Sequence, residues 1–483
     1  MSLTKRTTSA SMQLTLSNGL VRMASILTMP ILTRLLTPSA YGIAAMSGNF
    51  VALISVIGLA GIDMSYVRSY HSKSGPSGSK VEVFAWQWIL IVGALFGAVL
   101  FLCWQPIARL LNLPIYLGGF LGGGIILSLV NTMSQARARL NNRYREMSVA
   151  LFASSIGVIV ISILVAYSWK QNELPLILAM LAGYAIPIVI LGIPLPNKLC
   201  QSSYLSPSEK VSFVKIGLAG TITAPAYWLI SSSDRWFLGY LMDSSSVGIY
   251  SMAYSVGIFG MMVNNALLSV WTTEAAKEFE YNPDNARNEL GKTVNYIVAA
   301  YICVWVVVSA LGGEIVRLLA SSAFHDAAEL IPFIAGAVLF HGIIHLFNTS
   351  LLLINRLVYA IRWWLIGGIV SIALNILLIP SFGRLGAAVT QAFTLGIIAT
   401  GILHAAQKYY PIRLNCWRIV ACATLALVAV GFLQKSWNIS PLSSILYKVP
   451  FLIFVLALIA QITFPMLFLM AIKRLRKMLK TGN

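Results

Sequence analysis

The stretch MQLTLSNGLVRMASILTMPILTRLL, residues 12–36, is long and apolar enough to cross a bilayer, yet Arg22 lies ten residues inside it. A guanidinium stays charged at physiological pH and offers a planar fork of donors that suits phosphate or carboxylate oxygens. Ten residues of helix put it about 15 Å from the end of the span, too deep for comfortable snorkelling to the interface. Facing lipid there would cost about 2.5–3.5 kcal/mol. Its neighbours one turn away are Asn18, Gly19, Ser25 and Ile26, so its own helix supplies no carboxylate. Thr15, Asn18, Arg22, Ser25 and Met29 fall on one stripe, which reads as the wall of a hydrated cavity. A buried cation without a neighbouring carboxylate attracts an anion, so the chemistry expected here is anion binding.

Other polar groups lie inside apolar runs: Asn49, Asp63 near the cytoplasmic end of the second run, Asn264 and Asn265, and His341, His345 and Asn348 on a second single stripe. With Arg22, Asn18 and Ser25 they are the candidate lining of a polar cavity. Each has a simpler reading: Asp63 or Asp234 as a structural counter-ion for Arg22, the asparagines as interhelical glue, the histidines as proton-coupling groups. His341 and His345 have the spacing of two metal ligands, but no Glu or third ligand accompanies them, so no metal is expected. Asp234-Arg235 and Arg34 read as interfacial anchors or a local ion pair. Arg68 and Lys73, after the second run, could screen an anionic headgroup arriving from the cytoplasm, although positive-inside topology explains them as well. GGFLGGG (118–124) sits inside an apolar run with no Lys-Ser/Thr after it, which favours close helix packing over a phosphate loop.

The elements that must position these groups are membrane helices. The 483 residues are 58% hydrophobic and 10% charged, with a mean hydropathy of +0.81, against roughly 25% charge in soluble domains. Apolar runs fall near 12–36, 42–62, 83–104, 113–133, 147–168, 174–195, 213–233, 246–271, 293–311, 330–354, 358–380, 385–404, 416–434 and 447–472. The expectation is an all-α polytopic membrane protein with about 14 transmembrane helices and both termini on one side. The first run is too long for a cleavable signal and is expected to stay in the membrane. Cys103, Cys200, Cys303, Cys416 and Cys422 show no metal-ligand spacing, and neither disulfides nor a cofactor are expected.

The net charge is +19, and its distribution explains it without nucleic acid. With a cytoplasmic N-terminus, about 25 of the 34 Lys and Arg fall on the cytoplasmic side and about 8 on the other. The basic sites there, RARLNNRYRE (137–146), Lys73, Lys80, Arg356, Arg362, Arg413, Arg418 and the tail IKRLRKMLK, read as topology signals and contacts to anionic lipid.

An internal repeat is legible. LTRLLTPSAYGIAAM (32–46) aligns with LGYLMDSSSVGIYSM (238–252), each a helix end, a polar turn and a Gly-Ile opening the next helix. Asn142-Arg143 aligns with Asn355-Arg356 inside a second pair. Parallel repeats of about six spans are transporter architecture. The expected organisation is an N-terminal six-helix lobe (1–200), a C-terminal six-helix lobe (201–410), two additional transmembrane helices (411–472) and a basic cytoplasmic tail (473–483), with the Pro- and Ser-rich PLPNKLCQSSYLSPSEK as linker. The mixed-charge segment 272–292 is expected to form a cytoplasmic helix-turn-helix piece, and no loop is large enough to house an active site.

MPILTRLLTPSAYGIAAM, ISVIGLAGIDMSYVRSY and LNILLIPSFGRLGAAVTQA resemble the polysaccharide transporter branch of the multidrug/oligosaccharidyl-lipid/polysaccharide exporter superfamily, particularly the Wzx-type O-antigen flippases. The resemblance covers nearly the whole chain. It implies two six-helix lobes around a central cavity, alternating access, and translocation of an undecaprenyl-diphosphate-linked oligosaccharide from the cytoplasmic to the periplasmic leaflet of the bacterial inner membrane. Membrane lipids and polysaccharide polymerase and ligase proteins are the partners it implies, and Arg22 matches a first-helix position held to contact pyrophosphate or acidic sugars. The last two spans resemble the pair that forms a lipid-tail groove in lipid II flippase relatives. The alternative is a cation-coupled exporter of small amphipathic compounds, whose relatives commonly carry a first-helix carboxylate that is absent here. The second lobe has Trp228 where the repeat would place a counterpart of Arg22, so the cavity is not expected to be symmetrically cationic. A membrane-embedded glycosyltransferase would need acidic catalytic residues in a sizeable loop, which the sequence lacks.

Overall fold

The computed structural model describes residues 28–70, 78–194, 205–221, 224–281, 283–434 and 440–463. Arg22, Asn18, Ser25, Lys73 and the basic tail lie outside the described residues. Among those described, regular structure is entirely helical. A first helix, α1, is described over 28–35. It is followed by α2 (Pro38–Leu59), α3 (Ile62–Ser69), α4 (Gly78–Leu110), α5 (Leu117–Leu140), α6 (Tyr144–Ser168), α7 (Leu174–Leu191), α8 (Pro207–Thr221) and α9 (Ala224–Leu241). Then come α10 (Ser244–Gly257), α11 (Gly260–Tyr281), α12 (Pro283–Leu319), a 3-10 segment (Ser322–Leu330), α13 (Ile331–Leu353), α14 (Val358–Tyr409), α15 (Cys416–Leu433) and α16 (Pro441–Thr463).

Ten of these helices are long and apolar enough to cross a membrane, and α10 with α11 forms a further candidate bent by 43°. The 52 residues of α14 would extend about 78 Å as one rod, far beyond a hydrocarbon core of about 30 Å. Pro380 lies inside it, and Gly383 takes φ 55°, ψ −132°, a conformation that reverses the chain. A Cβ on Gly401 would overlap the Trp363 indole, so 384–409 returns along 358–382. The two runs expected over 358–404 are therefore the arms of one helical hairpin. The segment 272–292 is the end of α11 and the start of α12, as its helix-turn-helix expectation requires.

Local chemistry sets the helix ends, and it repeats. Thr37 caps α2, its hydroxyl accepting from the Ala40 N–H at 3.2 Å. Asp243, at the same place in the second copy of the repeat, caps α10 by accepting from the Ser246 N–H at 2.6 Å. The second pair also agrees. Asn142 and Asn355 both adopt positive φ, 56° and 54°. In each, the asparagine N–H bonds the carbonyl three residues back and the following arginine N–H the carbonyl five back, at 2.8 Å for Arg143 to Ala138 and for Arg356 to Leu351. That is the left-handed termination of a helix, tolerated by asparagine because its short side chain fits there. At the start of α8, Ser206 and Glu209 form a capping box, with the Ser206 N–H donating to Glu209 at 2.6 Å and holding its carboxyl below the usual range.

The chain divides into two compact units. The first comprises Met1–Ser251 and Ser371–Ala387. In it α5 packs on α2, α4 and α7, α6 on α7, and α3 on α8. Ser65 donates from α3 to the Phe213 carbonyl of α8 at 2.6 Å. Outward-facing Phe101, Leu102 and Val189 are exposed, as lipid-facing side chains are. The second unit comprises Met252–Val370 and Ala388–Asn483. Its centre is α13, which with its 3-10 extension is the most buried of the candidate spans. Helix α12 packs on α11, α13, α15 and α16.

Candidate functional site

Within the first unit, the two copies of the repeat meet. A Cβ on Gly42 would overlap the Ser244 carbonyl and lie 2.8 Å from the Gly248 nitrogen. A Cβ on Gly248 would overlap the Pro38 carbonyl and lie 3.1 Å from the Gly42 nitrogen. Pro38 and Ser244, like Gly42 and Gly248, occupy equivalent places in the repeat, so the contact is reciprocal, as a local pseudo-two-fold requires. Only glycine lets two helix backbones approach this closely. The Ser39 and Ser244 hydroxyls share a hydrogen bond of 2.6 Å at the same crossing.

Near this crossing Asp234 and Arg235 are 2% and 6% exposed. Arg235 Nη1 lies 3.4 Å from Asp234 Oδ1, and the Tyr250 hydroxyl donates to Asp234 Oδ2. The guanidinium also sits 5.4 Å from the centre of the Tyr250 ring and donates to the Ser231 carbonyl. Of the two readings of Asp234-Arg235, the local ion pair is the one realised. Asn49 is half-buried on α2, beside Phe50, which stacks on Trp236 at 5.6 Å. Trp236 in turn meets Trp228, the residue at the place equivalent to Arg22, edge-on at 5.7 Å. Asp63 is half-buried in the first turn of α3, and Arg68 is exposed in its last turn.

In the second unit, α11, α12 and α13 gather a separate polar group. Asn264 is 1% exposed and donates to the Val338 carbonyl at 2.8 Å, tying α11 to α13, whereas Asn265 is exposed. One position of helix turns a side chain by about 100°, which separates the adjacent asparagines. A Cβ on Gly342 would lie 2.6 Å from the Tyr301 ring and 2.9 Å from Asn264 Nδ2, so α13 is narrowed where these side chains cross it. His341 and His345 stand with their Nε2 atoms 3.2 Å apart, and Thr349 donates to the His345 carbonyl. Asn348 follows one turn after His345, and no hydrogen bond reaches its buried Oδ1 or the buried Tyr301 hydroxyl among the described residues. A chain of donors and acceptors of this kind can hold hydroxyl-rich groups or water. No cluster of three or more potential metal ligands occurs among the described residues.

One buried charged pair escaped the sequence reading. Glu314 of α12, 2% exposed, accepts from Lys448 at 2.6 Å and from Ser444 at 2.8 Å, both on α16, with Arg317 at 3.7 Å. Gln434 adds a hydrogen bond to the Ser309 carbonyl. The signal was present as charges at the edges of two apolar runs, Glu314 just after 293–311 and Lys448 at the start of 447–472. These contacts fasten the C-terminal helix pair to α12. Lys448→Ala leaves a buried carboxylate short of its cation and is expected to cost about 3 kcal/mol. A thermal unfolding midpoint equal to wild type would refute that role.

The arrangement is that of a multi-pass helical membrane protein, and solved structures show the same fold. The chain aligns with lipid II flippase MurJ in an inward closed conformation over 92% of its length and 98% of that chain, at TM-score 0.72 and 15% identity. It aligns with an inward-facing multidrug resistance MATE family transporter over 86% and 96%, at TM-score 0.58 and 13% identity. Residues 31–329 match the family of polysaccharide biosynthesis proteins, and the chain belongs to that family. It is also similar to a probable low-salt glycan biosynthesis flippase, Agl15 of Haloferax volcanii, with 22% identity over 264 residues, 53% of this chain and 54% of the relative. The match thus spans about half the length of that relative.

Proposed function

We propose that the protein is a flippase that carries an undecaprenyl-diphosphate-linked oligosaccharide, an O-antigen or related surface-polysaccharide repeat unit, from the cytoplasmic to the periplasmic leaflet. The observation that carries this reading is the family match over 31–329, which coincides with a fold like that of a lipid II flippase. The protein acts as a transporter and not as an enzyme, in the bacterial inner membrane with both termini cytoplasmic, handing its cargo to polymerase and ligase proteins. Its lobes, 1–200 and 201–410, follow the sequence repeat and not the contact-defined units, because α8 packs on α3, α9 on α2, and α10 crosses α2 at Gly42 and Gly248. The C-terminal pair and basic tail complete the chain.

In this reading Arg22 grips the diphosphate, and Asn18, Ser25, Asn49, Asp63, Asn264, Asn265, His341, His345 and Asn348 line the polar path, with Arg68 and Lys73 receiving the headgroup. Sugars and diphosphate occupy polar surroundings while the isoprenoid remains in lipid, so each part of the cargo keeps the solvent it prefers. The test is leaflet accessibility of a fluorescent undecaprenyl-diphosphate oligosaccharide in proteoliposomes. Arg22→Ala is expected to slow flipping at least tenfold at unchanged protein level, while Arg22→Lys keeps part of the rate because charge survives and the fork does not. Wild-type flipping by Arg22→Ala would remove the assignment. Absence of flipping with several glycans, together with export of amphipathic compounds, would move the protein to the exporter class.

A further inference from the structure

A groove of about 780 Å³ runs along the second unit between α13 and the hairpin α14. Its walls are Phe340, Trp363 and Phe393, its floor includes Gly396 and Gly401, and one end is marked by His404. The floor glycines matter: a Cβ on Gly396 would lie 3.4 Å from the Phe340 ring, and one on Gly401 would overlap Trp363. The groove follows the hairpin from Val389 to His404, about 22 Å of helix. That is shorter than a hydrocarbon core of about 30 Å, so the groove does not reach from one face of the membrane to the other.

One helical turn beyond its His404 end, the two arms of the hairpin bring three cations onto two aromatic rings. Tyr359 and Tyr409 have ring centres 4.6 Å apart. Arg356 lies 5.1 Å and Lys408 5.7 Å from the Tyr409 ring, and Arg362 5.4 Å from the Tyr359 ring. All three cations are exposed, and none of them has a carboxylate within salt-bridge distance among the described residues. A cation held over a ring face keeps N–H donors free for an incoming oxyanion. The left-handed turn at Asn355 fixes the backbone from which Arg356 projects.

We infer that the groove and this basic-aromatic clamp form one binding site for an anionic phospholipid, its acyl chain lying along α14 and its phosphate held by Arg356, Arg362 and Lys408. The site has charge at one end and only apolar surface at the other, the division an amphiphile with a single headgroup presents. A cargo that crosses between leaflets needs a path through both, whereas this groove stops within the span. The inference stands apart from the flippase assignment, since its readout is lipid binding and not transport.

The test uses the purified full-length protein in detergent with spin-labelled phosphatidylglycerol and spin-labelled phosphatidylcholine, followed by the immobilised component of their spectra. Phosphatidylglycerol is expected to bind at least tenfold more tightly. The Arg356→Gln/Arg362→Gln/Lys408→Gln variant should reduce it to the phosphatidylcholine level, with Arg362→Gln alone giving an intermediate loss should the triple variant not fold. Ala392→Trp, which fills the groove, should remove the immobilised component of both lipids. Arg109→Gln, at an exposed cation of α4, should change nothing. Equal binding of the two lipids by wild type would overturn the inference, as would an effect of Arg109→Gln as large as that of the clamp variants. Displacement by undecaprenyl phosphate at equimolar concentration would assign the groove to the isoprenoid and overturn it too.

Discussion

Oxidation of a Ser39→Cys/Ser244→Cys pair is expected to lower flipping at least tenfold, and reduction to restore it. The background for this experiment has Cys103, Cys200, Cys303, Cys416 and Cys422 replaced by serine. The two hydroxyls are 2.6 Å apart across the crossing of α2 and α10, close to the S–S separation of about 2.05 Å that a disulfide needs. The helices touch backbone to backbone at Gly42 and Gly248, and a transporter that alternates must part such a contact to open this end. A covalent bond holds the ends together in every state, so the cycle stops. Unimpaired flipping by protein shown to be fully cross-linked would refute alternating access at this crossing. Gly248→Leu works in the opposite direction. Its side chain cannot enter the crossing without displacing the Pro38 carbonyl, and overpacking of this kind costs about 1–3 kcal/mol. It should weaken cross-linking of the cysteine pair as well as flipping.

Asp234→Ala is the second large effect, and it falls on stability. The carboxylate is buried with Arg235 and receives the Tyr250 hydroxyl, so its removal takes from the buried guanidinium its neighbouring carboxylate and from Tyr250 an acceptor. Breaking a buried pair from one side costs about 3–5 kcal/mol, which should appear as a lowered thermal midpoint and reduced folded yield. Asp234→Asn keeps an acceptor for Tyr250 and should lose less. Asp234→Ala combined with Arg235→Met removes both charges and should recover much of the loss, because both buried charges of the pair are then gone. A double variant as unstable as Asp234→Ala would show that the pair is not what holds this region. A well-folded Asp234→Asn that fails to flip would instead place the carboxylate in the transport path.

What depends on neighbours along the chain is legible in residue order alone. Hydropathy set the helical, membrane-spanning class, because backbone groups in lipid must bond within their own segment. The repeat was legible because Thr37 and Asp243 cap their helices through the N–H three residues on, and because Asn142 and Asn355 end theirs in the same left-handed turn. The adjacency of His341 and His345 followed from a spacing of one helical turn.

Tertiary structure alone decided which helix faces meet. Asn264 reaches the Val338 carbonyl, 74 residues away, and Lys448 reaches Glu314 across 134 residues. Neither partner can be chosen from local pattern, since an apolar helix surrounded by lipid and other apolar helices carries little amphipathic signal to orient it. The same reason hid the Gly42–Gly248 crossing. The repeat announced two equivalent glycines, but that they lie against each other is a property of the packed unit.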